Sequence, residues 1–188
     1  MISRLARAIL ALFGWRLEGT PPAAPKYVVV IAPHTSNWDF VVGILLAAGF
    51  GLKINFMIKD EMFHPAWGWF FRALGGIPVN RRSRTNLVDQ MVARFRERER
   101  LVLVIPPEGT RARVNTWKTG FYYIALGAGV PVALAFMDFK RKVGGFGPVF
   151  TPTGDIAADM EPVRQFYRGI TGKRPEQFGE VTVQKDGA

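Results

Sequence analysis

The 188-residue chain contains no cysteine, which excludes disulfides, thiolate metal sites and a cysteine nucleophile. Histidine is almost as scarce: His34 and His64 are the only two, too few for a histidine-rich metal site. Serine occurs three times, as Ser3, Ser36 and Ser83, and none stands in a Gly-x-Ser-x-Gly elbow. For a transfer enzyme, that scarcity favours a direct, base-assisted route over a covalent enzyme intermediate. No apolar run reaches the roughly eighteen residues needed to cross a bilayer. Acidic residues are also in short supply, with 15 Asp and Glu against 25 Lys and Arg.

The net charge of +10 that results points to anionic partners. Phosphorylated metabolites, acidic lipid headgroups and nucleic acid all qualify. No helix-turn-helix, zinc or RNP-type motif supports the last of these, so nucleic acid is not expected. With 48% hydrophobic residues, the chain has enough apolar material to bury one good core, as a single domain.

Residues 1–19 set Ile2, Leu5, Ile9, Leu12 and Phe13 near one helical face, with Arg4 and Arg7 off that stripe. Two readings fit: an amphipathic helix in a membrane interface, or a terminal helix packed on the domain. Residues 20–26 are a proline-rich linker, and residues 27–172 form the main domain. Within it, apolar periodicity predicts strands at 27–32, 53–58, 77–79, 101–105, 131–138 and 144–151. Helices are expected at 37–48, 85–99 and 119–127, with another starting near Asp159. Residues 60–74 form an aromatic-rich helical stretch broken by Pro65 and Gly68, suited to core, an apolar channel or a lipid interface. The polar segment 173–188 is expected to be loosely held. Strands alternating with helices predict an α/β domain with a mainly parallel sheet flanked by helices, preceded by the amphipathic helix.

The most informative stretch is Tyr27–Asp39. A β-branched run ends at Pro33, His34 follows, and Asp39 lies five residues further on, where a helical pattern starts. Ser36 is a good N-cap, which puts Asp39 in the first turn. One turn of chain then brings a carboxylate towards one imidazole nitrogen and leaves the other free to take a proton. Ser36-x-x-Asp39 is also a capping box, which explains Asp39 by helix initiation alone. Arg81 and the block Glu108-Gly109-Thr110-Arg111 each follow a predicted strand as well. Sites in open α/β sheets form at the carboxyl ends of strands, so all three groups are expected on one edge. There, Gly109 allows close backbone approach, Thr110 offers a hydroxyl, and Arg81 and Arg111 present planar forks for phosphate oxygens.

In this order the blocks resemble the glycerolipid acyltransferase family typified by 1-acyl-sn-glycerol-3-phosphate (lysophosphatidic acid) acyltransferase. The resemblance rests on His34-x4-Asp39, on Gly75-Gly76-Ile77-Pro78-Val79-Asn80-Arg81, and on Pro107-Glu108-Gly109-Thr110-Arg111. Val130-Pro131-Val132 is similar to a weaker fourth block, and Lys118-Thr119-Gly120-Phe121 to a basic-x-Gly-Phe element. Pro78 stands where a bulkier apolar residue is common. The resemblance implies acyl transfer from acyl-CoA or acyl carrier protein to the hydroxyl of a lysophospholipid, with no cofactor or metal. It further implies His34 as base, Asp39 as its partner, and Arg81, Glu108, Gly109, Thr110 and Arg111 as the acceptor-phosphate site, with Lys118 adding charge. A non-glycerol lipid acceptor stays open. A peripheral position on an anionic membrane surface, at the cytoplasmic face of the inner membrane, is expected.

Overall fold

The computed structural model describes residues 1–64, 66–79 and 87–183. Its centre is a seven-stranded sheet in the order β1-β7-β6-β2-β5-β3-β4, with β1 Arg16–Glu18, β2 Lys26–Ala32, β3 Asn55–Lys59, β4 Gly76–Val79, β5 Leu101–Ile105, β6 Val132–Asp138 and β7 Val143–Phe150. All neighbouring pairs are parallel except β6 with β7. The helices are α1 Ile2–Leu12, α2 Trp38–Phe50, α3 Gly68–Ala73, α4 Leu87–Glu97, α5 Gly120–Ala128 and α6 Ile156–Tyr167. The expected α/β domain with a mainly parallel sheet and an N-terminal helix is the observed fold.

Alternation along the strands divides the core. Val28, Val30, Leu101, Leu103, Val132 and Leu134 face one side, where Met91 and Phe95 of α4, Phe121 and Ile124 of α5, and Met160 and Val163 of α6 cover them. On the other side lie Tyr27, Val29, Ala133 and Ala135, with Ile31, Val102 and Val104 only half-buried. α1 and α2 cover just one flank of that side, through Leu10, Trp15, Val42, Leu46 and Met137. An apolar trough is left beside α2.

Several expectations change. The first is the separate helix at 1–19. The helix ends at Leu12, Trp15 is buried, and Arg16–Glu18 join the sheet beside β7 as a parallel edge strand. α1 itself rests on α2, where the Arg7 Nε donates to the Gly49 carbonyl at 2.8 Å. Burying Ala6 and Leu10 still leaves Ile2, Leu5, Leu12 and Phe13 exposed, so one face is packed and the other is open. The second is the linker, since Lys26 already pairs with Leu101. The third is the loose tail: up to Val183 it is packed, with Val181 buried, Trp117 N donating to the Thr182 carbonyl at 2.7 Å, and Trp117 bridged to Val183. Apolar Phe178 and Val181 drive this docking in a segment that looks polar on average. α6 starts three residues before Asp159, because the Asp155 carboxylate accepts from the Ala157 and Ala158 amides, both at 3.1 Å.

Candidate active site

β2 delivers His34 to the carboxyl end of the sheet, and α2 starts four residues later. Asn37 occupies the cap position, one residue beyond the expected Ser36, whose Oγ instead accepts from the Trp38 amide at 3.2 Å. Asp39 lies in the first turn and is 2% exposed. Its Oδ2 accepts the Thr35 amide at 2.6 Å and the Ser36 amide at 2.8 Å, and stands 3.3 Å from His34 Nδ1. One Asp39 oxygen therefore both accepts a backbone amide just before α2, which is half of the capping box, and faces the imidazole. Fixed by backbone donors, that oxygen faces the imidazole on its Nδ1 side, an arrangement that would leave Nε2 to take a proton. The His34 side chain keeps 18% exposure, enough to meet a substrate.

The turn after β5 comes alongside. Glu108 is buried, and its Oε1 accepts the His34 backbone amide at 2.8 Å. Burial pushes the Glu108 carboxyl above its ordinary value, against the lowering effect of that hydrogen bond. Glu108 Oε1 thus holds the His34 backbone, in place of the phosphate contact that the motif implied. Gly109 has φ 65°, and a Cβ there would stand 2.9 Å from both Cε and Nζ of Lys118. The positive φ favours glycine here, and the Lys118 side chain lies across the turn. Arg111 and Lys118 are exposed. The Thr110 hydroxyl accepts the Ala112 amide at 3.3 Å and so helps to shape the turn. The Gly109 amide donates to the Pro106 carbonyl at 3.2 Å, which removes it as a free oxyanion donor.

One cleft of about 1610 Å³ is lined by His34, Asp39, Glu108, Gly109, Thr110, Arg111 and Lys118. It continues into the apolar trough along Phe40, Gly43, Phe50, Val104, Ala135 and Phe146. A base, cationic groups and an apolar channel therefore share one space, which suits an amphiphile with an anionic head. Arg81 lies outside the described residues.

A family model for acyltransferases matches residues 17–135, more than half of the chain. The chain belongs to the acyltransferase family. The matched span contains every site residue inferred from the motifs, and the enzyme is accordingly an acyltransferase. Its fold is similar to that of the 1-acyl-sn-glycerophosphate (LPA) acyltransferase PlsC from Thermotoga maritima, at a TM-score of 0.65 and 20% identity over 90% of this chain and 76% of that one. No curated protein matches the chain.

Two features of this acyltransferase's site escape motif reading. Thr35, 1% exposed, has its amide held by Asp39 and its hydroxyl by the Arg174 amide, at 3.1 Å. Gln177 reaches the same loop from the far end of the chain. Thr35 sits inside the His-x4-Asp motif, where only the two ends attract notice. Gln177 lies in a segment with no periodic pattern.

Proposed function

We propose that the enzyme moves a fatty acyl group from an acyl thioester, acyl-CoA or acyl carrier protein, to the hydroxyl of a lysophospholipid such as 1-acylglycerol-3-phosphate. The observation that carries this reading is the 3.3 Å approach of His34 Nδ1 to Asp39 Oδ2 in a cleft that also holds Arg111 and Lys118. His34 Nε2 takes the acceptor hydroxyl proton as that oxygen attacks the thioester carbonyl. The tetrahedral adduct then collapses, the C–S bond breaks, and the proton passes to the departing thiolate. General-base assistance of this kind is worth about 10²–10⁴-fold. Asp39 steadies the imidazolium that forms in between. Arg111 and Lys118, joined by Arg81, bind the acceptor phosphate and place its hydroxyl. The trough beside α2 takes the acyl chain.

Docking is peripheral, on an anionic membrane surface that this reading places at the cytoplasmic face of the inner membrane. Among the described residues no helix is long and apolar enough to cross a membrane. Exposed Leu5, Leu12 and Phe13 of the first segment supply apolar contact, as do Trp67, Trp69 and Phe70 around α3.

The test is a panel of acyl-CoA and acyl carrier protein donors against lysophospholipid acceptors, read by mass spectrometry of the lipid product. Wild type should form a diacyl product, His34→Ala should form none at an unchanged melting temperature, and Arg111→Ala should raise the acceptor KM. Normal turnover by His34→Ala would refute the base assignment.

A further inference from the structure

The segment from Gly172 to Val183 lies beyond the span matched by the family model, yet it runs along the active site. At one end its backbone presses on the loop that carries the base. A Cβ on Gly172 would stand 2.8 Å from Thr35 Oγ1 and 3.1 Å from Pro33 Cβ, and the Arg174 amide donates to Thr35 Oγ1 at 3.1 Å. At the other end it presses on the loop that follows Arg111. A Cβ on Gly179 would overlap the Val114 carbonyl, and the Trp117 amide donates to the Thr182 carbonyl. Between these ends sits half-buried Gln177. With its amide nitrogen turned inward, it donates to the Thr35 carbonyl at 2.8 Å and to the Arg111 carbonyl at 2.5 Å. A primary amide carries two N–H groups, so one nitrogen serves both carbonyls.

We propose that residues 172–183 are a strap that fixes the loop of the base against the loop of the phosphate-binding arginine, with Gln177 as the positioning residue. The inference rests on the reading of His34 and Arg111 as parts of one reaction centre. Its logic is a count of restraints on Thr35, the residue beside the base. The Thr35 amide is held by Asp39, its hydroxyl by the Arg174 amide and its carbonyl by Gln177. The first restraint is local to the His-x4-Asp motif, and the other two come from the strap. Only the Gln177 amide and the Glu108 carboxylate tie the His34 loop to the Arg111 turn by side-chain hydrogen bonds among the described residues. Reacting groups tolerate little misplacement: an error of about 1 Å can lose on the order of 100-fold in rate.

Gln177→Glu tests this directly, since it keeps the size and shape of the side chain but removes both donors. Turnover is measured on the donor and acceptor pair that wild type uses best, and is expressed per folded molecule counted by circular dichroism. The expected result is a fall in kcat of about tenfold or more, with donor KM unchanged and the melting temperature within a few degrees. Gly172→Ala, which lifts the strap from Thr35 and leaves Gln177 intact, should lower kcat in the same way. A side chain that merely filled space would leave Gln177→Glu at the wild-type rate, and that rate, or a loss confined to melting temperature, overturns the proposal. Gln177→Glu at full rate beside an inactive His34→Ala would sink the strap alone. Full activity in His34→Ala would sink the reaction centre on which it rests.

Discussion

At the scale of single residues, the centre depends on which groups are allowed to carry charge. Asp39 Oδ2 faces two backbone amides and an imidazole, while its Oδ1 is buried with no hydrogen-bond partner among the described residues. Glu108 Oε1 accepts the His34 amide, while Oε2 is likewise buried with no hydrogen-bond partner among the described residues. Burial raises its pKa, so in the folded protein it holds its proton to higher pH than in the unfolded chain. The sign of the linkage follows: from about pH 4.3, the ordinary glutamate value, up through the raised value, the folded state binds more protons, and stability falls as pH rises. Glu108→Gln removes this dependence and keeps an acceptor for the His34 amide. In thermal melts at stepped pH, the wild type should lose ground to Glu108→Gln as the pH climbs, and parallel curves would refute the assignment. In assays, Glu108→Gln should keep a larger share of kcat than Glu108→Ala, which leaves the His34 backbone unpinned.

Residue by residue, what could be read in the sequence follows chain distance. His34 and Asp39 are five positions apart, and a strand followed by a helix brings them together by local geometry alone. Glu108 is 74 positions from the amide that it holds, and its spacing in the motif points outward to a phosphate just as well as inward to a backbone. The role of Gln177 depends on a fold-back that no hydrophobic period announces. β1 went unread for a related reason, because three residues are too few to show an alternation.

At the scale of elements, α2 does two jobs. Its first turn presents Asp39, and its side forms one wall of the apolar trough. Gly43 is on that wall, where an added Cβ would meet only Met137 Sδ, at 4.0 Å. A larger side chain there has room to project into the trough. Replacing helical glycine should also favour the helix by up to about 1 kcal/mol. Gly43→Leu is therefore expected to melt no lower than wild type, yet to discriminate against long acyl donors, with turnover on short ones largely kept. A uniform loss across donor lengths would show that the trough does not hold the chain. Strands β2, β5 and β6 and helices α4 and α5 were legible because their apolar runs are regular. α3 was legible as an aromatic stretch only, since Gly68 and Pro65 break its period.

For the whole molecule, the charge of +10 and the exposed apolar groups act together. On the proposed peripheral docking, cationic groups would draw the protein to an anionic bilayer over the screening length, and the apolar groups would hold it there. Binding to vesicles that contain phosphatidylglycerol should weaken steeply with salt, whereas vesicles of phosphatidylcholine alone should bind poorly throughout. The double substitution Leu5→Gln with Phe13→Gln removes two exposed apolar groups without touching the buried face of α1. It should lower vesicle affinity by about tenfold or more while turnover on a detergent-dispersed acceptor is kept. Unchanged sedimentation with vesicles would exclude this segment from the contact.

The place of β1 in the sheet has a consequence for the newborn protein. The first strand of the chain has only the last strand, β7, as its neighbour, and the residues that brace Thr35 come later still. A chain emerging from the ribosome exposes α1 and its greasy side long before β1 has anything to pair with. If Gln177 acts as proposed, a chain made only as far as β7 has its sheet strands but not yet the brace on Thr35.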